Sequence, residues 1–417
     1  MSSIGWIDFS SEHRDKVRTA IDFLSAPGVL DELGIGVIRD AFADQMFPGL
    51  STIQTRAKYF TMTAILLRDY QQQEKRKLRP KTLERYLEEK EKSCRIQLVE
   101  AHGEGRQSLG IIGGTFGLST QQDVIRKPSS IYWNGLRQFG FISPKHLSLA
   151  EFGRRLQDEG KHLHALLKEK SKERGDDSDA EDREHLIRID APDVSDDYWE
   201  NLSIELNKEE ASFLRDQIKT HQKHSLIGQI LMSDDIMDEV LRLPENTDFK
   251  DFAALPFISQ LKQEKLRHVV EHARDFSFLL EGAHIRYNCL LQERFGTSEK
   301  MKEFEEEWEQ WRQQIINFPE TWDTEFMWQT TGAQHRQIKG PTKRFVEAWI
   351  EQCREGATDI RLCNALVTEQ EIANKKGRAR LRKNNNEGIN QWIGLRQFNY
   401  RLNNVRQLAR DIWDTEI

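Results

Sequence analysis

His268-Val269-Val270-Glu271-His272 places two imidazoles four positions apart with a carboxylate between them. On a helix that spacing sets both rings on one face, as the zinc pair of a metal-dependent hydrolase requires. A working site also needs a carboxylate ligand from a second helix. The sequence marks none, and His284 falls off the face that His268 and His272 share. Two histidines flanking a buried stripe is therefore the expectation, with a metal-dependent hydrolase or nuclease kept as the alternative. His162 and His164 form another possible pair, but they stand beside an acidic run without a companion. No Gly-x-Ser-x-Gly and no Gly-Lys-Ser/Thr occurs, and acid-x-Lys pairs, as around Glu89 to Lys92, are common in so charged a chain. Asp31, Glu32, Arg39 and Asp40 crowd the turn Gly34-Ile35-Gly36. Asp31 can cap a helix there and Arg39 can pair with Asp8 or Asp40, so a salt-bridge network ranks ahead of catalysis. No cofactor and no metal is expected, and a non-catalytic role ranks ahead of an enzymatic one.

The other chemistry the chain offers is positive charge. Residues 124–157 carry six Lys or Arg against one acid, a local +5 inside a chain of net charge −7. Phosphate is attracted to such a segment. If the segment binds DNA, Ser130, Tyr132, Trp133 and Arg137 face or flank a groove, Arg126, Lys127 and Lys145 hold phosphates and set register, and Ser129 of the turn belongs to the same DNA-binding set. Trp133 could equally be core. A second cluster, Lys375, Lys376, Arg378, Arg380, Arg382 and Lys383, puts six positive charges into nine residues. It reads as a nucleic-acid arm or as a solvated connection between helices, the latter ranking first.

Positioning these residues requires a mainly α, multi-domain chain. At 417 residues several cores are expected. The spacing predicts helices from Ser10 or Ser11 with Val17, Ile21 and Leu24 inward, over Gly36–Phe42, and from a capping box at Ser51 and Gln54 through Leu67. Another follows Pro80 from Thr82. Six glycines between Gly103 and Gly117 then stop the helical pattern. Without the lysine of a phosphate loop or a preceding strand, they read as a hinge or turn-rich loop.

Residues 119–157 have the order of a winged helix-turn-helix. A short helix runs from Ser119 through Ile125, then come a turn and a second helix over Ser130–Phe139, with Ile131, Leu136 and Phe139 inward and Gly140 as a left-handed cap. A strand at Phe141-Ile142, a wing turn at Ser143–His146, a returning strand at Leu147–Leu149 and a helix from Ala150 complete it. Six acids and one base between Asp176 and Glu184 read as a solvated linker. Beyond it, Val269, Ala273, Phe276, Leu280, Ala283, Tyr287 and Leu290 alternate at four and three spacing, and similar stripes recur around Trp308, Trp349 and Leu408, so a carboxyl-terminal helical bundle is expected. Seven of the ten tryptophans follow residue 300 and fall mostly on these stripes, which assigns them to core packing. The expected division is an amino-terminal helical domain over 1–100, a small winged-helix-like α+β module over 110–168, an acidic linker over 171–187 and a bundle over 188–417.

The four cysteines are scattered without a Cys-x-x-Cys pair, which fits reduced thiols. Met1–Lys16 lacks the basic start and apolar run of a signal peptide, and no stretch of about 18 apolar residues occurs, so a cytoplasmic location without membrane contact is expected.

Leu147-Ser148-Leu149-Ala150-Glu151-Phe152-Gly153-Arg154-Arg155-Leu156 resembles the Leu-Thr-x-x-Gly-Arg-x-Leu ending of bacterial winged-helix regulators. More broadly, Gly5–Ser10, Asp31–Gly36 with Arg39–Phe42, Phe47–Thr52 with Arg56, Pro128–Trp133, and Gly282-Ala283 with Tyr287-Asn288 resemble a bacterial family of unknown function. The resemblance implies genes beside those of phage-defence helicases, methylases or nucleases, and hence an accessory role on DNA. The resulting expectation is a non-catalytic DNA-binding accessory or adaptor subunit of a bacterial anti-phage defence system. Its partners would be double-stranded DNA and a defence helicase or nuclease, and a pure protein scaffold is a further alternative.

Overall fold

In a computed structural model, residues 31–75, 81–103, 109–119, 123–170, 187–318, 322–334, 337–383 and 391–416 are described, the side chains of 74–75 and 160–170 excepted. The helix expected from Ser10 and the body of the acidic linker lie outside them, as do the side chains of the pair His162 and His164. The helices come in the order α1 (Gly36–Met46), α2 (Lys58–Lys75), α3 (Leu83–His102), α4 (Pro128–Gln138), α5 (Leu149–Lys170), α6 (Lys208–His221), α7 (Leu226–Met232), α8 (Asp234–Leu241), α9 (Phe249–Ala253) and α10 (Pro256–Ser259). There follow α11 (Glu264–Phe295), α12 (Ser298–Ile315), α13 (Thr324–Gly332), α14 (Gly340–Arg354), α15 (Ile360–Lys375) and α16 (Leu402–Glu416). Two short strands, β1 (Ile142–Ser143) and β2 (Arg188–Ile189), pair antiparallel. The protein is mainly α, and among the described residues no helix is long and apolar enough to cross a membrane.

The chain separates into two compact units, neither a single continuous stretch. One comprises residues up to Phe42, Asp248–Ala253 and His268–Tyr400. The other comprises Ala43–Thr247, Ala254–Arg267 and Arg401–Ile417.

In the first unit the heptad-like stripe of α11 is the core, as its spacing predicts. Val269, Ala273, Phe276, Leu280, Ala283 and Tyr287 are all buried. Trp308 and Trp311 stack at 5.0 Å between ring centroids, and the Trp349 indole donates to the Leu279 carbonyl at 2.8 Å, so the polar edge of a buried ring is satisfied. Asp31 accepts from the backbone N–H groups of Ile35 and Gly36 at 2.9 and 2.8 Å, and Arg39 pairs with Asp40 at 2.8 Å. These are the cap and ion pair that the residue types around Gly34 and Gly36 suggest.

In the second unit α2 is buried along most of its length and meets α4, α5 and α6. It starts at Lys58, not at the predicted capping box. Gln54 does accept from the Ser51 N–H at 3.0 Å, but the Tyr132 hydroxyl takes up the N–H groups of Thr55 and Arg56 at 2.8 and 3.1 Å and delays the helix. Of the winged-helix order, α4, a left-handed Gly140 at φ 79° and a helix beginning at Leu149 are present. Ser119 and Asp123–Ile125 are not helical. Ile142 pairs with Ile189 and Ser143 with Arg188, so the strand partner comes from beyond the acidic run instead of from Leu147–Leu149.

Candidate nucleic-acid interface

In the first unit, α15 ends at Lys375 and the chain turns through Lys376, which is left-handed at φ 54°. Two buried carboxylates then hold the basic run in place. Glu371 accepts from the Tyr287 hydroxyl at 2.9 Å and from the backbone N–H groups of Arg380 and Leu381 at 2.5 and 3.0 Å. Glu32, 3% exposed, pairs with Lys375 at 3.1 Å and Arg380 at 3.5 Å. Ala379 and Leu381 are buried, and the Arg294 guanidinium donates to the Leu381 carbonyl. Burial, and then the Glu371 charge, push the Tyr287 phenol far up, so it serves as a neutral donor.

This anchoring divides the predicted cluster. Lys375 and Arg380 are internal counter-charges of Glu32. Lys376, Arg378, Arg382 and Lys383 are exposed and, among the described residues, form no ion pair with a carboxylate. Four cations on an anchored turn suit an extended polyanion.

The second unit divides its predicted contacts differently. Ser129 and Tyr132 are buried, and Trp133 is 7% exposed. The Ser129 N–H donates to Glu91 at 2.5 Å, the Tyr132 hydroxyl to the Arg56 carbonyl at 2.9 Å, and the Trp133 indole to the Leu147 carbonyl at 3.0 Å. These three are therefore packing residues and not base-reading ones, because their polar groups are spent inside. Ser130 is exposed, Arg126 half-buried, and Lys127 pairs with Glu88 at 3.1 Å. Arg137 is half-buried and donates to the Lys145 carbonyl, while Lys145 and His146 are exposed.

Strand pairing brings Arg188, exposed and 3.1 Å from Asp190, to this edge. The His221 imidazole at the end of α6 is held below its ordinary value by burial first and then by the Lys145 and Arg188 charges, so near neutrality it is uncharged and the cations of this edge are Lys145 and Arg188. The segment 119–157 alone did not signal Arg188 or His221; only the β1–β2 register and the end of α6 bring them there.

The histidine pair of α11 is a packing feature. His272 Nδ1 meets the His268 carbonyl at 2.9 Å, and its ring lies against Trp322 at 5.2 Å and Phe326 at 4.6 Å between centroids. Among the described residues no three His, Cys, Asp or Glu converge as a metal set. The four cysteines are buried with raised thiol values, that of Cys94 pushed up to about 12 by burial.

No curated protein and no solved structure matches the chain. One family model does, over residues 1–404, described as a family of unknown function. The chain belongs to that family, DUF6361.

Proposed function

We propose that the chain is a non-catalytic, DNA-engaging accessory or adaptor subunit that grips the phosphate backbone of double-stranded DNA. The observation that carries this reading is the anchored turn of the first unit, with Lys376, Arg378, Arg382 and Lys383 exposed and two buried acids, Glu32 and Glu371, holding it. The basic edge of Lys145 and Arg188 is a second contact. Base reading by Tyr132 and Trp133 drops out of the proposal, so contacts are with phosphate and independent of sequence. The winged-helix-like order of 119–157 enters as the frame of that edge, and 171–187 as the linker before β2. Service in a bacterial anti-phage defence system alongside a helicase or nuclease is what the sequence resemblance implies.

The test is binding of the purified protein to a labelled random duplex at two salt concentrations. Affinity is expected to fall with salt, and the variant Lys376→Ser, Arg378→Ser, Arg382→Ser, Lys383→Ser to lose about 0.9 in log–log slope per phosphate contact removed. No binding at low salt, or an unchanged slope in the variant, would reject the reading. A protein-docking scaffold is the second reading, favoured by Ile125 and Leu118, which are 79% and 55% exposed. It gains if the duplex is not bound.

A further inference from the structure

Residues 88, 91 and 95 of α3 lie on one face, at i, i+3 and i+7, and all three hold the chain that leads into α4. Arg95 donates to the carbonyls of Gly117 and Ser119 at 2.7 and 2.5 Å, and Glu88 pairs with Lys127. Glu91 Oε1 accepts the Ser129 N–H, one of the first free donors of α4. Its other oxygen, Oε2, is buried and meets no hydrogen-bond partner among the described residues. Beside it is a cavity of about 10 Å³ whose lining is mixed, with Tyr59, Met62 and Ile112 apolar and Glu88, Arg95 and Lys127 charged among its walls. That is about the room one water needs.

We propose that Glu91 is a proton-operated latch: protonated, it keeps residues 123–129 closed over it, and ionised, it drives them open to admit water. The reason lies in the geometry. A neutral carboxyl can leave one oxygen without a partner at modest cost, whereas a carboxylate shut away from water with one oxygen unpartnered cannot. The groups around it do not neutralise the charge. On α3 these are Glu88, Lys92, Cys94, whose thiol is neutral, and Arg95, which is committed to carbonyls; on the covering segment they are Asp123, which opposes ionisation, and Lys127, which favours it but is paired with Glu88; on α2 the titratable group is Tyr59. Burial accordingly pushes the Glu91 carboxyl up to about 7, against the Ser129 hydrogen bond that pulls it down. The device therefore works near neutrality, and it does not depend on the DNA reading.

Hydrogen exchange of the full chain, measured on peptides from 123–138 and corrected for intrinsic rate, tests it. Opening is expected to rise about tenfold per pH unit between roughly 5 and 7 and to level off above, as linkage requires. Glu91→Gln, which keeps an oxygen for Ser129 but cannot ionise, should be flat over that range, and Glu88→Gln should retain the wild-type rise. A flat wild type, or the same rise in Glu91→Gln, would overturn the proposal. If Glu91→Gln does not fold, the wild-type and Glu88→Gln profiles still decide it, because the latch requires the rise in both.

Discussion

Lys58 Nζ lies 2.6 Å from Glu210 Oε2, and the two side chains are 3% and 0% exposed. Glu210 also accepts from the hydroxyls of Thr61 and Tyr198 at 2.8 Å each and, through a reciprocal capping box with Asn207, closes the start of α6. One carboxylate thus ties α2, the 198–207 segment and α6 together inside the second unit. Either charge left alone is expensive there. Lys58→Met or Glu210→Gln is expected to cost about 3–5 kcal/mol, and the double variant less than the sum. Urea denaturation of the four proteins checks this; additive losses would count against a coupled pair.

In the first unit, an alanine Cβ at Gly282 would stand 2.3 Å from the Trp311 ring, whose indole donates to the Phe278 carbonyl at 2.9 Å. Replacing a mid-helix glycine by alanine ordinarily gains about 1 kcal/mol. Here overpacking reverses the sign, and Gly282→Ala is expected to destabilise by about 1–2 kcal/mol net. A lowered thermal midpoint is the readout.

Tyr132→Phe removes the hydroxyl that serves Thr55, Arg56 and the Arg56 carbonyl. It leaves the part-buried N–H groups of Thr55 and Arg56 without that partner and is expected to cost about 1 kcal/mol. Duplex affinity of the folded variant should not change, since the ring is wholly buried. An affinity loss without a stability loss would return Tyr132 to the interface.

The basic turn is held by Glu371, not by its own sequence, so Glu371→Ala should release it. Trypsin cleavage after Lys376 or Arg378 is expected to accelerate by about tenfold or more, as local opening becomes easier by about 1–3 kcal/mol. Equal cleavage rates would mean that the turn stands without its carboxylate.

His284 is wholly buried in the first unit, with Nδ1 at 2.9 Å from the Leu280 carbonyl, and burial lowers its value from the usual 6.5. Below pH 6.5 the unfolded chain takes up a proton that the folded one refuses. Stability from this residue is therefore full above that pH and declines as pH falls, by up to about 1.4 kcal/mol per pH unit, until the folded imidazole protonates. The stability difference between wild type and His284→Gln should shrink below pH 6.5; a constant difference would contradict the assignment.

By itself the sequence determined the helical character of the protein, the apolar stripe of α11, the cap at Asp31, the helix over residues 130–138 and the left-handed Gly140. All of these follow from spacing and residue type within a few turns of chain. It also located both basic clusters. Only the tertiary structure decided which charges remain outside, because Lys375 and Arg380 are claimed by Glu32, far away along the chain, and Tyr132 and Trp133 by backbone that the local pattern does not reveal. The same holds for β1, whose partner is Arg188–Ile189 instead of the nearest candidate, and for Glu91, an ordinary-looking acid in a charged helix until neighbouring segments close over it. Local periodicity reports which face of an element is apolar. Desolvation and long-range pairing depend on what covers that face, and no window of the sequence contains that.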